Sequence, residues 1–127
     1  MIKPIPKRLL PHKCIYKEYL GNTGEGDKWG VDTPLSFVKI EEKSQLKVTS
    51  NDREIVGNGR MFYDIVNSGG LSNKPVQNSI IIFNDREYRI VDTEILYADK
   101  ETPHHYEILL KKNLIIQKTL FNGHKML

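Results

Sequence analysis

The chain has 127 residues, with 19 Lys and Arg against 16 Asp and Glu, a formal net charge of +3, 39% hydrophobic and 28% charged residues. These values exclude wholesale disorder and describe a single domain with a modest core. Unbroken apolar runs are only a few residues long, far below the roughly 20 needed to cross a bilayer, and the lone Cys14 can form no internal disulfide.

The opening Met1-Ile2-Lys3-Pro4-Ile5-Pro6 has two prolines and no apolar stretch, so no secretory signal is expected. With a single cysteine, this predicts a reducing cytoplasm or a particle assembled there. Residues 1–12 read as an extended arm, because Pro4, Pro6 and Pro11 block a helix and remove backbone donors. A first strand is expected at 13–19. Gly21 to Gly30 holds four glycines in ten residues and reads as a flexible connection. A second strand is expected over 35–43, where Phe37, Val38 and Ile40 lie.

Residues 44–59 then turn polar. Leu46-Lys47-Val48 could form a short strand, but the segment reads mostly as a loop, longer than a compact domain needs. Loops beyond about 12–15 residues tend to be functional or mobile. A third strand is expected through Arg60-Met61-Phe62-Tyr63-Asp64-Ile65-Val66, followed by a turn-rich link to Pro75. The clearest signal is Ile80-Ile81-Ile82-Phe83-Asn84-Asp85-Arg86-Glu87-Tyr88-Arg89-Ile90-Val91-Asp92. An apolar run stops at a polar pair and restarts with Tyr88 and Ile90 alternating, the pattern of a tight hairpin. The last expected strand is 104–111. The tail from Lys112 carries Leu114, Ile115, Ile116, Leu120 and Phe121 among polar residues and reads as an arm. The fold expected is all-β: a small antiparallel barrel of about six strands (13–111), an N-terminal arm (1–12), a long loop between strands two and three, and a C-terminal arm (112–127).

Candidate chemistry is sparse. His104 and His105 are sequence neighbours, so on a strand they are expected to face opposite ways and not to chelate together. His12 and Cys14 share a face if the first strand starts early, but a second closely spaced ligand pair is missing. Asp85, Glu87, Asp92, Glu94, Asp99 and Glu101 alternate with basic residues and read as turns and solvent faces, not as a catalytic pair. Gly24-Glu25-Gly26 is followed by neither Gly-Lys-Ser/Thr nor a helix signature, so it is no phosphate cradle. The aromatic stock is Trp29, Tyr16, Tyr19, Phe37, Phe62, Tyr63, Tyr88 and Tyr106. It could stack single-stranded bases on a barrel face, the alternative reading as a nucleic-acid-binding barrel, but more often fills a core or an interface. No enzyme, metal or cofactor is expected. The basic residues at the two ends, Lys3, Lys7, Arg8 and Lys13, and Lys111, Lys112, Lys118 and Lys125, form no dedicated stripe.

The order of several segments resembles a family. Ile2-Lys3-Pro4-Ile5-Pro6-Lys7-Arg8-Leu9-Leu10 leads to a Gly-rich turn closed by Trp29-Gly30. Asn58-Gly59-Arg60-Met61-Phe62-Tyr63-Asp64, Phe83-Asn84-Asp85-Arg86-Glu87-Tyr88-Arg89-Ile90, Leu96-Tyr97 and His104-His105-Tyr106-Glu107-Ile108 follow. Together, over about residues 2–111, they resemble the minor capsid proteins of tailed phages and prophages of Gram-positive bacteria. These in turn are similar to the stopper, or head-completion, proteins of the head–tail connector.

The resemblance implies a virion protein of the head–tail junction, made in the host cytoplasm. It implies a ring below the portal and its adaptor, contact with tail proteins and non-specific contact with packaged DNA, and no membrane partner. It also implies a channel loop, here Ser44, Gln45, Lys47, Ser50, Asn51, Asp52, Arg53, Gly57, Asn58 and Gly59, with Gly57-Asn58-Gly59 as a hinge.

Overall fold

The computed structural model describes residues 3–48 and 50–113. Its strands are β1 (His12–Asn22), β2 (Asp27–Glu41), β3 (Gln45–Val48), β4 (Arg53–Gly57), β5 (Gly59–Asp64), β6 (Ile80–Phe83), β7 (Arg86–Tyr97) and β8 (Pro103–Lys112). Among the described residues the one helical element is a 3-10 turn at Lys7–Leu9. Six strands close into a barrel in the order β1-β2-β5-β8-β7-β6, all neighbours antiparallel. The all-β barrel expected from the alternation is thus the architecture found. Closure gives each of these six strands a partner on both sides over part of its length.

Alternation explains the core. Cys14 and Tyr16, Val38 and Ile40, Met61 and Tyr63, Tyr88 and Ile90, and Ile108 and Leu110 each lie two apart on one strand and are buried together. Their neighbours on the other face are charged or partly exposed. The β6–β7 hairpin closes as its polar pair requires. Asn84 (φ 51°) and Asp85 (φ 61°) are both left-handed, and Phe83 pairs with Arg86 across them. That is the primed two-residue turn that follows the right-handed strand twist.

β2 does more than one strand's work. It pairs with β1 along its length up to Val38 and with β5 from Val38 to Glu41. The change of partner needs a kink, and Phe37 supplies it with φ 54°. Ser36 and Phe37 both point outward between the buried Leu35 and Val38, the mark of a bulge. A left-handed non-glycine residue costs about 1–2 kcal/mol. Several contacts hold it: the Ser68 hydroxyl donates to the Phe37 carbonyl, Ser36 and Gly69 exchange two backbone hydrogen bonds of 3.0 Å, and Lys7 Nζ sits 4.7 Å over the Phe37 ring.

β2 also begins much earlier than the expected 35–43. The Gly-rich stretch is a hairpin tip in which Asn22 pairs with Asp27, so Asp27–Pro34 is strand rather than flexible connection. The ribbon is exposed on both faces there, at Leu20, Val31 and Asp32 among others, and a strand with two wet faces shows no period-2 signal.

The N-terminal segment lies on its own barrel. The Ile5 amide donates to Asp64 Oδ1 (2.9 Å), Asn67 Nδ2 donates to the Ile5 carbonyl (2.8 Å), and Leu10 is buried. Asp64 is fully buried but well matched, also accepting from the amides of Val66 (3.0 Å) and Asn67 (2.8 Å). The arm expected from Leu114, Ile115, Ile116, Leu120 and Phe121 concerns residues outside the described ones.

Candidate functional site

The segment between Glu41 and Arg60, read from composition as mostly loop, is largely a β-hairpin. Gln45 pairs with Gly57, Leu46 with Ile55, Lys47 with Glu54 and Val48 with Arg53. Directly opposed residues in an antiparallel pair project from the same face. Leu46, Ile55, Val48 and Arg53 therefore share one face, and Lys47 and Glu54 the other. The first face is apolar yet open to water: Leu46 is 52% exposed, Val48 72% and Ile55 54%.

The hairpin leaves the barrel at the end where β2 finishes and β5 begins. It forms its own two-stranded sheet and meets the barrel mainly where β4 runs beside β8. Two joints fix its feet. At the first, Glu42 accepts from the Tyr88 hydroxyl and from Arg86, whose Nε lies 3.1 Å from Oε2 and Nη2 3.3 Å from Oε1. Tyr88 is only 2% exposed. Burial, then the hydrogen bond to Glu42 and its negative charge, push its phenol up to about 12. The joint is a neutral phenol donating to a carboxylate, with a guanidinium on the same carboxylate.

At the second joint, the Asn58 amide donates to the Leu110 carbonyl (2.7 Å), and the Lys112 amide donates to Asn58 Oδ1 (2.7 Å). Gly57 and Gly59 are buried beside it. Neither has a positive φ; what they supply is space. A Cβ on Gly57 would stand 2.6 Å from Leu109 Cδ1 and 2.8 Å from the Leu110 carbonyl, and one on Gly59 2.9 Å from the Glu41 carbonyl. The Gly-Asn-Gly run, expected as a hinge, is packed and hydrogen-bonded as a clamp.

The expected channel residues fall into three places. Ser50, Asn51 and Asp52 lie at the exposed tip; Gln45, Lys47 and Arg53 are on the strands; Ser44, Gly57, Asn58 and Gly59 are at the feet. Sequence reasoning missed Leu46, Val48 and Ile55, and the Glu42–Tyr88–Arg86 joint. The apolar face did have a signal: Leu46-Lys47-Val48 and Arg53-Glu54-Ile55 alternate around the turn formers Ser50-Asn51-Asp52. The joint had none, since 44 residues separate Glu42 from Arg86.

The other candidates do not assemble. His12 Nδ1 accepts from the Ile40 amide (2.9 Å), while Cys14 faces the Met61 sulfur at 3.8 Å and burial pushes its thiol up to about 12. His104 and His105 correct the expectation that they point apart. Their Nδ1 atoms lie 2.8 Å from each other, one donating to the other. The opposite-face rule governs Cβ atoms, and His104, one residue into β8, swings its ring across the strand margin to bond the Lys3 carbonyl (2.7 Å). His105 Nε2 is taken by Glu107 (3.0 Å). Among the described residues no group of three or more His, Cys, Asp or Glu is placed to hold a metal ion.

Asp85 occupies the β6–β7 turn, while Asp99 caps the turn before β8 through the amides of Glu101 and Thr102, which hold its carboxyl below the usual range. Of the aromatic stock, Tyr16, Tyr63 and Tyr88 are core residues. Tyr19 and Trp29 pack edge to face at 5.3 Å, and Phe37 lies under Lys7. Phe62 lies under Lys39, Tyr106 stacks on Tyr63, and Trp29 and Phe37 stay partly exposed. No described helix is long and apolar enough to cross a membrane.

In comparison with known proteins, a family model described as Minor capsid protein matches residues 6–110. No curated protein and no solved structure matches.

Proposed function

This chain belongs to the phage minor capsid protein family, and we propose that within the virion it is a ring-forming subunit of the head–tail connector. In this reading it sits below the portal and its adaptor, and the β3–β4 hairpin closes or joins the DNA channel. The role is structural, not enzymatic. Its partners are copies of itself, the portal or adaptor ring and tail proteins, with packaged DNA passing by.

One observation carries the reading: a two-stranded hairpin is held by two clamped feet at one end of a closed barrel, with its tip free of the barrel core. Head-to-tail contacts around a closed ring repeat one element at one radius. Identical hairpins set inward would narrow a central channel without any chemistry. Lys47 and Arg53 near the tip are offset by Asp52 and Glu54. Such a surface tolerates a phosphate backbone without gripping it or reading its sequence.

The test removes the hairpin and keeps the joint residues Glu42 and Asn58. Glu41 and Arg60 are paired neighbours on β2 and β5, so deleting 44–57 leaves a short turn of Glu42, Lys43, Asn58 and Gly59. The expected result is a folded barrel that still enters particles, with heads that lose packaged DNA. Full DNA retention in such heads would refute the channel role.

A further inference from the structure

The hairpin's exposed face is unfinished. A two-stranded ribbon alone is marginally stable in water, and this one turns Leu46, Val48 and Ile55 together to solvent. Such a face needs a cover. We propose that the cover is the chain's own C-terminal segment, residues 114–121, laid against that face of β3–β4. The inference concerns the isolated protein and holds whether or not the hairpin enters a channel.

Three observations select this occupant. The first is position. β8 ends at the hairpin's foot, where Lys112 is bonded to Asn58 and Leu109 and Leu110 pack on Gly57. Asn113 is the last residue described, held by its amide to the Glu87 carbonyl (2.9 Å) and by its side chain to Glu87 Oε2 (2.6 Å). The chain therefore departs at the base of the uncovered surface.

The second is reach. β3 has four residues, about 13 Å from foot to tip, whereas residues 114–127 can extend about 45 Å. The third is chemistry. The segment opens with Leu114-Ile115-Ile116 and continues to Leu120-Phe121, with only Lys118 charged among residues 114–121. Three consecutive apolar residues are costly in water, and an uncovered apolar surface begins at their exit.

Hydrogen exchange on the isolated protein tests the assignment. In a chain ending at Asn113, the amides of residues 46–48 and 53–56 are expected to exchange about 10-fold faster, with β5 and β8 unchanged. Unchanged hairpin exchange overturns the proposal. Should truncation unfold the barrel, the full-length double variant Leu46→Ser/Ile55→Ser decides. It is expected to speed exchange in residues 114–121 while β5 and β8 hold, and equal exchange there overturns the proposal. A dilution series separates the chain's own tail from a neighbour's. Hairpin protection independent of protein concentration supports the proposal, and protection that grows with concentration overturns it in favour of a second copy.

Discussion

Replacing Tyr88 by Phe tests the first joint of the hairpin. The ring is buried and would stay, so the change removes one hydroxyl and its bond to Glu42. A hydrogen bond to a charged partner contributes about 1.5–3 kcal/mol. Glu42 keeps Arg86 and is still reached by water, its side chain being 25% exposed, so solvent screening lowers the figure to about 1–2 kcal/mol. For a chain of this size that is a fall in Tm of roughly 3–6 °C.

The pH dependence is more diagnostic. The folded phenol titrates at about 12, above the roughly 10 of an unfolded tyrosine. A raised folded value means the stabilisation is fully present below pH 10 and is lost as pH rises through 12. The stability difference between the native chain and Tyr88→Phe should be constant from pH 6 to 9 and shrink between pH 10 and 12. Lysines and the other tyrosines titrate in both proteins and cancel. Urea unfolding of the pair across that range is the assay. Equal stability at pH 7, or a difference flat through pH 12, would show that the phenol–carboxylate joint carries no load.

Two other substitutions probe the second joint and the N-terminal segment. Gly57→Ala places a methyl 2.8 Å from a backbone carbonyl; we expect a loss of about 1–3 kcal/mol by urea unfolding, with exchange rising first in β4. Asp64→Ala strands the amides of Ile5, Val66 and Asn67; at about 1–3 kcal/mol for each unsatisfied buried group it should destabilise the barrel and speed tryptic cleavage at Lys7 and Arg8, read by limited proteolysis.

What the sequence made legible follows from where water lies. Strands with one dry face announced themselves: Met61 and Tyr63, Tyr88 and Ile90, and Ile108 and Leu110 alternate because the barrel interior takes every second residue. The Asn84-Asp85 turn was readable because few residues accept two left-handed positions in a row. Asp27–Pro34 was not, since both faces of that ribbon meet solvent, and in β4 a short alternation at Arg53-Glu54-Ile55 was outweighed by the loop-like composition around it. The polar excursion after β2 stood out by its length, but its order was hidden. The Glu42–Tyr88–Arg86 joint and the Asn58–Lys112 bond that hold it are long-range contacts, which local pattern cannot contain. The glycines at 57 and 59 looked like freedom and turned out to be clearance, a distinction visible only once Leu109 and the Glu41 carbonyl are in place.

The central claim is that a folded hairpin at one end of the barrel is set into a channel by ring assembly. An electron cryomicroscopy reconstruction of the head–tail junction in particles carrying this protein tests it most directly. The account predicts a ring of these barrels below the portal and adaptor, with the tips at Asn51 turned to the lumen. Hairpins facing outward, or barrels lying elsewhere in the particle, would contradict it.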